Sequence, residues 1–149
     1  MRTGYFLTGN DDVLKVKNKK YAELEETVDD ASSHYEYASI FLHGSCQLFA
    51  FELHNRYGYE GVNLQVPGNV DRHFFCTTIV NGKDVYIDVR GITDNLDDLI
   101  DEFIDDDYEI VEYDFSDEQN LSEADKIGLE FARQIIDDNI EIYKITAEV

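Results

Sequence analysis

The dipeptide Asn81-Gly82 stands between two apolar runs, Phe74 to Val80 and Val85 to Val89. Both residues tolerate the positive φ that a type I′ turn requires, so the pair predicts a β-hairpin with a two-residue turn. Such a turn pairs Val80 with Lys83 and fixes the register of the whole ladder. Counting away from the turn sets His73 opposite Arg90 and Phe75 opposite Asp88. Side chains alternate across a strand, so His73, Phe75 and Thr77 share one face with Asp88, Tyr86 and Arg90. Phe74, Cys76, Val85, Ile87 and Val89 take the other, apolar face.

That register puts an imidazole and a carboxylate within reach of each other. His73 and Asp88 are diagonal neighbours, whose Cβ atoms lie up to roughly 7 to 8 Å apart, a gap that longer side chains span. Upstream, Gly44-Ser45-Cys46-Gln47 leads into Leu48-Phe49-Ala50-Phe51-Glu52-Leu53. Ser45 is a good N-cap, so the pattern predicts a helix that begins at or next to Cys46. A thiol in the first helical turn faces the positive end of the helix dipole, a setting found at reactive cysteines. Cys46, His73 and Asp88 therefore supply a nucleophile, a base and a group to orient the base.

The order Cys46, His73, Asp88, and above all the block "HFFCTTIVNGKDVYIDVRG", resembles the transglutaminase-like and papain-like cysteine enzyme superfamily over about residues 44–91. In that group a cysteine opens a helix, a histidine begins a strand, and an aspartate lies near the end of the next strand, some fifteen residues on. The resemblance implies Cys46 as nucleophile, His73 as general base and acid, and Asp88 as the residue that orients His73. It also implies a transglutaminase-like or papain-like core and a hydrolase or acyltransferase chemistry such as that of a thiol protease. Phe75 stands where the family often has Trp, and Val89 where it often has Pro. No glutamine precedes Cys46 by a few residues, so the second oxyanion donor, beside the Cys46 N–H, falls to Gln47, Tyr35 or Tyr37.

A rival constellation is a Cys2His2 zinc site from His43, Cys46, His73 and Cys76, whose spacings are metal-like. His73 and Cys76 are three apart on a strand, so they point to opposite faces, and Cys76 is expected in the core. We therefore expect neither a metal nor another cofactor. His34 and His54 belong to no such pattern.

The chain has 149 residues, enough for one substantial core, and we expect a single domain spanning 1–149. Its two cysteines do not make a disulfide framework. Met1 to Asn10 has no secretory pattern and no run reaches the roughly 18 apolar residues of a membrane span, so a soluble cytoplasmic protein without a membrane partner is expected.

The net charge of −21 is unevenly placed. Residues 1–83 carry 8 Lys and Arg against 11 Asp and Glu, whereas residues 84–149 carry 4 against 22. Direct binding to nucleic acid is disfavoured, because this field repels phosphates. The field favours instead a protein or peptide substrate of basic character. It also suits a different class of function, a non-catalytic acidic inhibitor that mimics nucleic acid, as phage-type counter-defence proteins do. Over Asp94 to Asp107, the spacing of Leu96, Leu99, Ile100, Phe103 and Ile104 predicts an amphipathic helix with an acidic outer face.

Elsewhere, helix is expected over Asn18 to Asp30 and Ala31 to Leu42, and a loop that walls a cleft over Tyr57 to Val70. A strand is expected over Tyr108 to Tyr113, a helix capped by Ser122 up to Asn139, and a last strand over Ile140 to Thr146. The fold class is α+β, with helices packed on an antiparallel sheet of about four strands. The activity that fits is acyl transfer from an amide by Cys46, His73 and Asp88, by hydrolysis, deamidation or crosslinking.

Overall fold

The computed structural model describes residues 11–21, 35–100, 103, 107–115 and 121–145. The hairpin is formed as its turn dictates: Asn81 and Gly82 adopt φ of 54° and 78°, and β2 (Val70–Val80) pairs with β3 (Lys83–Asp88) from Val80↔Lys83 to Cys76↔Ile87. Beyond Asp88 the chain reverses at once. Asp88 pairs with Gly91 of β4 (Gly91–Thr93), so Arg90 lies in a tight turn and not across a ladder from His73.

The sheet has five antiparallel strands in the order β4-β3-β2-β1-β5, where β1 is Glu60–Val66 and β5 is Glu109–Glu112. β1 replaces the loop expected over Tyr57 to Val70. Val62, Leu64 and Val66 do alternate, but the surrounding Gly and Pro residues masked that period. Gly61 is needed there because a Cβ would fall 2.3 Å from the Phe115 ring, which lies against this strand. β2 bulges where Leu64↔His73 gives way to Gln65↔Asp71, leaving Arg72 without a partner in the register.

The helices are α1 (Ile40–His43), α2 (Cys46–Tyr57), α3 (Leu96–Ile100), α4 (Glu123–Asp138) and α5 (Ile140–Tyr143). α4 is the expected amphipathic helix, and the Ser122 hydroxyl caps it by accepting from the Asp125 N–H at 3.1 Å. The strand expected over Ile140 to Thr146 is instead α5, with Thr146 outside the described residues. Helical spacing lets Ile140 stay exposed while Tyr143 is buried, and the Tyr143 hydroxyl donates to the Val89 carbonyl at 2.6 Å.

Two other helix expectations change. Residues Tyr35 to Ser39 are not helical, because Tyr37 forms a β-bridge with Lys17, and helix begins only at Ile40. The helix expected from Asn18 lies largely outside the described residues. The acidic helix is described only as α3, and within it Asp98 is buried, not part of an outer face.

α2 lies across β2 and packs on α4, enclosing the larger core of Phe41, Phe49, Cys76, Ile87, Phe131 and Ile135. On the opposite face α3 brings Leu99 and Ile100 onto Val62, Leu64 and Phe75. Among the described residues no helix is long and apolar enough to cross a membrane.

Candidate active site

β3 separates from β2 at Asp88, which leaves Phe74 beyond the last β2–β3 pair. Its N–H therefore has no β3 carbonyl, and it donates to Cys46 Sγ at 3.3 Å. Cys46 is the first residue of α2 and is buried. Ser45 occupies the N-cap position, yet its hydroxyl does not cap the helix; it pairs with the Tyr35 hydroxyl at 3.1 Å. The first-turn amides, which have no intrahelical acceptor, face the thiol end of the helix without a carboxylate in the first turn to offset them.

His73 is fully buried, with Nε2 donating to Asp88 Oδ2 at 2.9 Å. Because a carboxylate accepts, Nε2 carries the proton in the neutral ring and Nδ1 keeps its lone pair. With Nε2 committed to Asp88, Nδ1 is the nitrogen left for Cys46. The thiol is near enough to act on His73, but Nδ1 has no hydrogen bond of standard geometry, so the contact is looser than a formed Cys–His hydrogen bond. Catalytic hydrogen bonds often tighten only once substrate binds.

Burial pushes the His73 pKa down, but the Asp88 hydrogen bond and the Cys46 thiol outweigh it, so the net shift is upward. For Asp88, burial raises the pKa, and the Arg90 charge together with the His73 hydrogen bond drives it well below the usual carboxylate range. The ring is also held mechanically: it stacks on Phe103 at 4.2 Å between centroids and on Phe75 at 5.8 Å. The arrangement contains the elements of nucleophilic acyl transfer, namely a thiol, a base with a free lone pair and a carboxylate that fixes the tautomer.

The structure thus brings Cys46, His73 and Asp88 together. Of the oxyanion candidates, Tyr35 reaches the start of α2 through Ser45, whereas Tyr37 is exposed and bridges Lys17. Cys76 stands apart from the site: its thiol donates to the Ala50 carbonyl at 3.3 Å inside the larger core, and burial pushes its pKa far up. His73 and Cys76 point to opposite faces, which separates two of the four ligands of the rival zinc arrangement. His54 donates through Nδ1 to the Tyr59 carbonyl, 2.7 Å away, as part of the fold.

Arg90 is the site residue whose role the strand count did not show. Counting placed it opposite His73, but the turn after Asp88 folds it back onto that carboxylate. A cavity of about 300 Å³ is bordered by Lys19, Lys20 and α4, and another of about 150 Å³ lies under the β1–β2 turn; neither includes Cys46, His73 or Asp88. No family model matches the chain, and no curated protein or solved structure matches it significantly.

Proposed function

We propose that the protein is a cysteine-dependent acyl-transfer enzyme acting on an amide, with a core like that of transglutaminase-like and papain-like enzymes. The observation that carries this reading is the buried His73, bonded through Nε2 to Asp88 at 2.9 Å and followed in β2 by Phe74, whose N–H donates to Cys46 Sγ at 3.3 Å. In the forward step the Cys46 thiol passes its proton to His73 Nδ1 and sulfur bonds to the amide carbonyl carbon. The C–N bond then breaks, His73 gives the proton to the departing amine, and a thioester remains. Water or a second amine resolves the thioester, with His73 taking the proton of the incoming group. Peptidase, deamidase and crosslinking reactions share these steps. The Cys46 N–H is the first oxyanion donor in this scheme. A basic protein or peptide substrate suits the surplus of 22 Asp and Glu over 4 Lys and Arg in residues 84–149.

The test is an electrophilic peptide-amide analogue followed by mass spectrometry of the intact protein and its digest. A single adduct on Cys46, lost in Cys46→Ala and strongly slowed in His73→Asn, is the expected result. A folded protein that stays unlabelled under all peptide sequences tried would sink the reading.

The complete burial of His73 and the acidic C-terminal half favour one second reading, a non-catalytic protein that mimics nucleic acid and occupies a basic partner. Under it, Cys46→Ala keeps the cellular effect, while the combined change Asp97→Asn, Asp107→Asn and Glu109→Gln weakens partner binding. That binding also falls steeply with salt, because exposed charges are screened over about 10 Å at 0.1 M.

A further inference from the structure

Arg90 is as deeply buried as Asp88, at 3% exposure each. A buried guanidinium persists only where its charge and its fork of N–H donors are met. Here the Arg90 backbone N–H donates to Asp88 Oδ1 at 2.8 Å and Nη2 donates to Oδ2 at 2.7 Å. Nε lies 3.3 Å from both carboxylate oxygens, and Nη2 also donates to the Leu99 carbonyl of α3 at 2.8 Å. The carboxylate is thus gripped on one side by Arg90 and offers the same Oδ2 to His73. Phe103 closes the arrangement, with its ring over the Arg90 guanidinium at 5.8 Å and stacked on the His73 imidazole at 4.2 Å.

We propose that Arg90 is a positioning residue of this site, holding the Asp88 carboxylate in the one orientation from which it accepts from His73 Nε2. The proposal rests on the acyl-transfer reading and adds a residue to it. Two physical arguments support it. A thiolate, an imidazolium and a carboxylate sum to one uncompensated negative charge, and burying an unbalanced charge is costly; the guanidinium brings these four groups to zero. Asp88 shared with Arg90 also has less charge to spend on His73. The imidazolium is then less strongly held and gives its proton more readily to the departing amine.

The titratable groups around His73 and Asp88 come from several elements: Cys46 from α2 and Arg90 from the β3–β4 turn, with Cys76 of β2 behind them on the opposite sheet face and Tyr143 from α5. Burial keeps Cys76 and Tyr143 neutral, so the formal charges in this set are those of the four site groups. Among the described residues the other buried carboxylates on packed elements are Asp98 of α3 and Glu52 of α2, and Glu52 accepts from Arg133 Nε at 3.1 Å.

The test uses the full chain with Arg90→Gln and Arg90→Lys. Three experiments follow them: NMR for the titration midpoint and tautomer of His73, kinetics for the saturating acylation rate and half-saturation concentration of the peptide electrophile, and thermal unfolding for the midpoint. Arg90→Gln should raise the His73 midpoint by about one pH unit, the low end of what a neighbouring charge exerts. It should also cut the saturating rate on the order of a hundredfold through misplacement of the imidazole, with little change in half-saturation. Arg90→Lys should restore the midpoint but only part of the rate, because an ammonium supplies the charge without the fork.

Variants that lose thermal stability yet keep the His73 midpoint and the rate per folded molecule would overturn the proposal and leave Arg90 a structural residue. If Arg90→Gln does not fold, Arg90→Lys decides alone: a wild-type rate overturns it. If the wild-type protein does not acylate at Cys46, the acyl-transfer reading fails by itself. The His73 midpoint and tautomer in the same variants then still decide whether Arg90 positions the pair.

Discussion

On the face covered by α2 and α4, Cys76, Ile87 and Val89 meet Phe41, Phe49 and Ile135 in a core without a buried charge on the strand side. On the face covered by α3, Phe75 and Leu64 share their burial with His73, whose carboxylate partner Asp88 is itself clamped by Arg90. One sheet therefore presents two interiors of opposite character. An apolar interior stabilises in proportion to the area it removes from water and tolerates rearrangement of its parts. A buried chain of hydrogen-bonded charges contributes little net stability when complete, and is heavily destabilising when one member is removed. Such a chain is retained where geometry at one atom matters, and that is how the face bearing His73 differs from its reverse.

The contrast is tested most strongly by Asp88→Asn. The amide can present its NH₂ group to Nε2, favouring the tautomer whose Nδ1 carries the proton and is no longer a base toward Cys46. Acylation of Cys46 should slow on the order of 10³- to 10⁴-fold, as expected when the orienting carboxylate of a triad becomes an amide. Stopped-flow labelling with the peptide electrophile measures this, and circular dichroism checks the fold. An unchanged rate would remove Asp88 from the mechanism and reduce the site to a Cys–His pair.

Ile87→Ala probes the other interior from the strand position next to Asp88. Ile87 is fully buried in the larger core, so truncation should cost about 2 to 5 kcal/mol in urea unfolding. The rate of Cys46 labelling per folded molecule should stay within a few-fold of wild type. A rate that collapses with this core change would show that the two faces are not independent.

How much of this was legible in the chain follows from the physics of each signal. The Asn81-Gly82 turn is local and nearly unambiguous, so it delivered the hairpin, both faces and the His73–Asp88 neighbourhood. Cys46 at the start of α2 was legible for the same reason, from a short sequence with a helical period behind it. β1 was not, since glycines that permit close packing against Phe115 look the same in sequence as glycines that make a loop. Arg90 was placed by extending the ladder three pairs beyond its last one, Cys76↔Ile87. Where β3 ends is set by the tertiary turn into β4, held in part by the Tyr143 hydroxyl on the Val89 carbonyl, and no local pattern in Val89-Arg90-Gly91 encodes it.

The charged interior should also give this protein a pH signature that an apolar core lacks. The folded-state pKa of Asp88 is depressed, so its contribution is present above the unfolded carboxylate value and is lost as the pH falls through the folded value. The folded-state pKa of His73 is raised, so its contribution is complete below the unfolded histidine value and fades as the pH rises through the folded one. Stability from these two groups is therefore greatest in the mildly acidic range between the unfolded values of about 3.9 and 6.5. Urea midpoints measured from pH 2 to 9 should show both limbs. In Asp88→Asn the acid limb due to this residue should disappear and the limb near neutrality should weaken, whereas in Ile87→Ala both limbs should persist on a lower curve.

The mildest expected effect compares the two thiols themselves, since Cys46 opens α2 and Cys76 lies in β2, the strand that α2 crosses. Cys46 accepts a hydrogen bond from the Phe74 N–H at the start of a helix, and both features stabilise negative charge on sulfur. Cys76 donates to the Ala50 carbonyl, is completely buried, and has its pKa pushed far up, so it has almost no thiolate to react. Iodoacetamide at pH 6.5, with digestion and mass spectrometry over time, should modify Cys46 at least roughly tenfold faster than Cys76 in the folded protein. The gap is held to that size because Cys46 is itself only 8% exposed, so its alkylation waits on local opening. Equal rates for the two thiols in the wild-type protein would mark Cys46 as a second structural cysteine, and the face bearing His73 would then be an interior like its reverse.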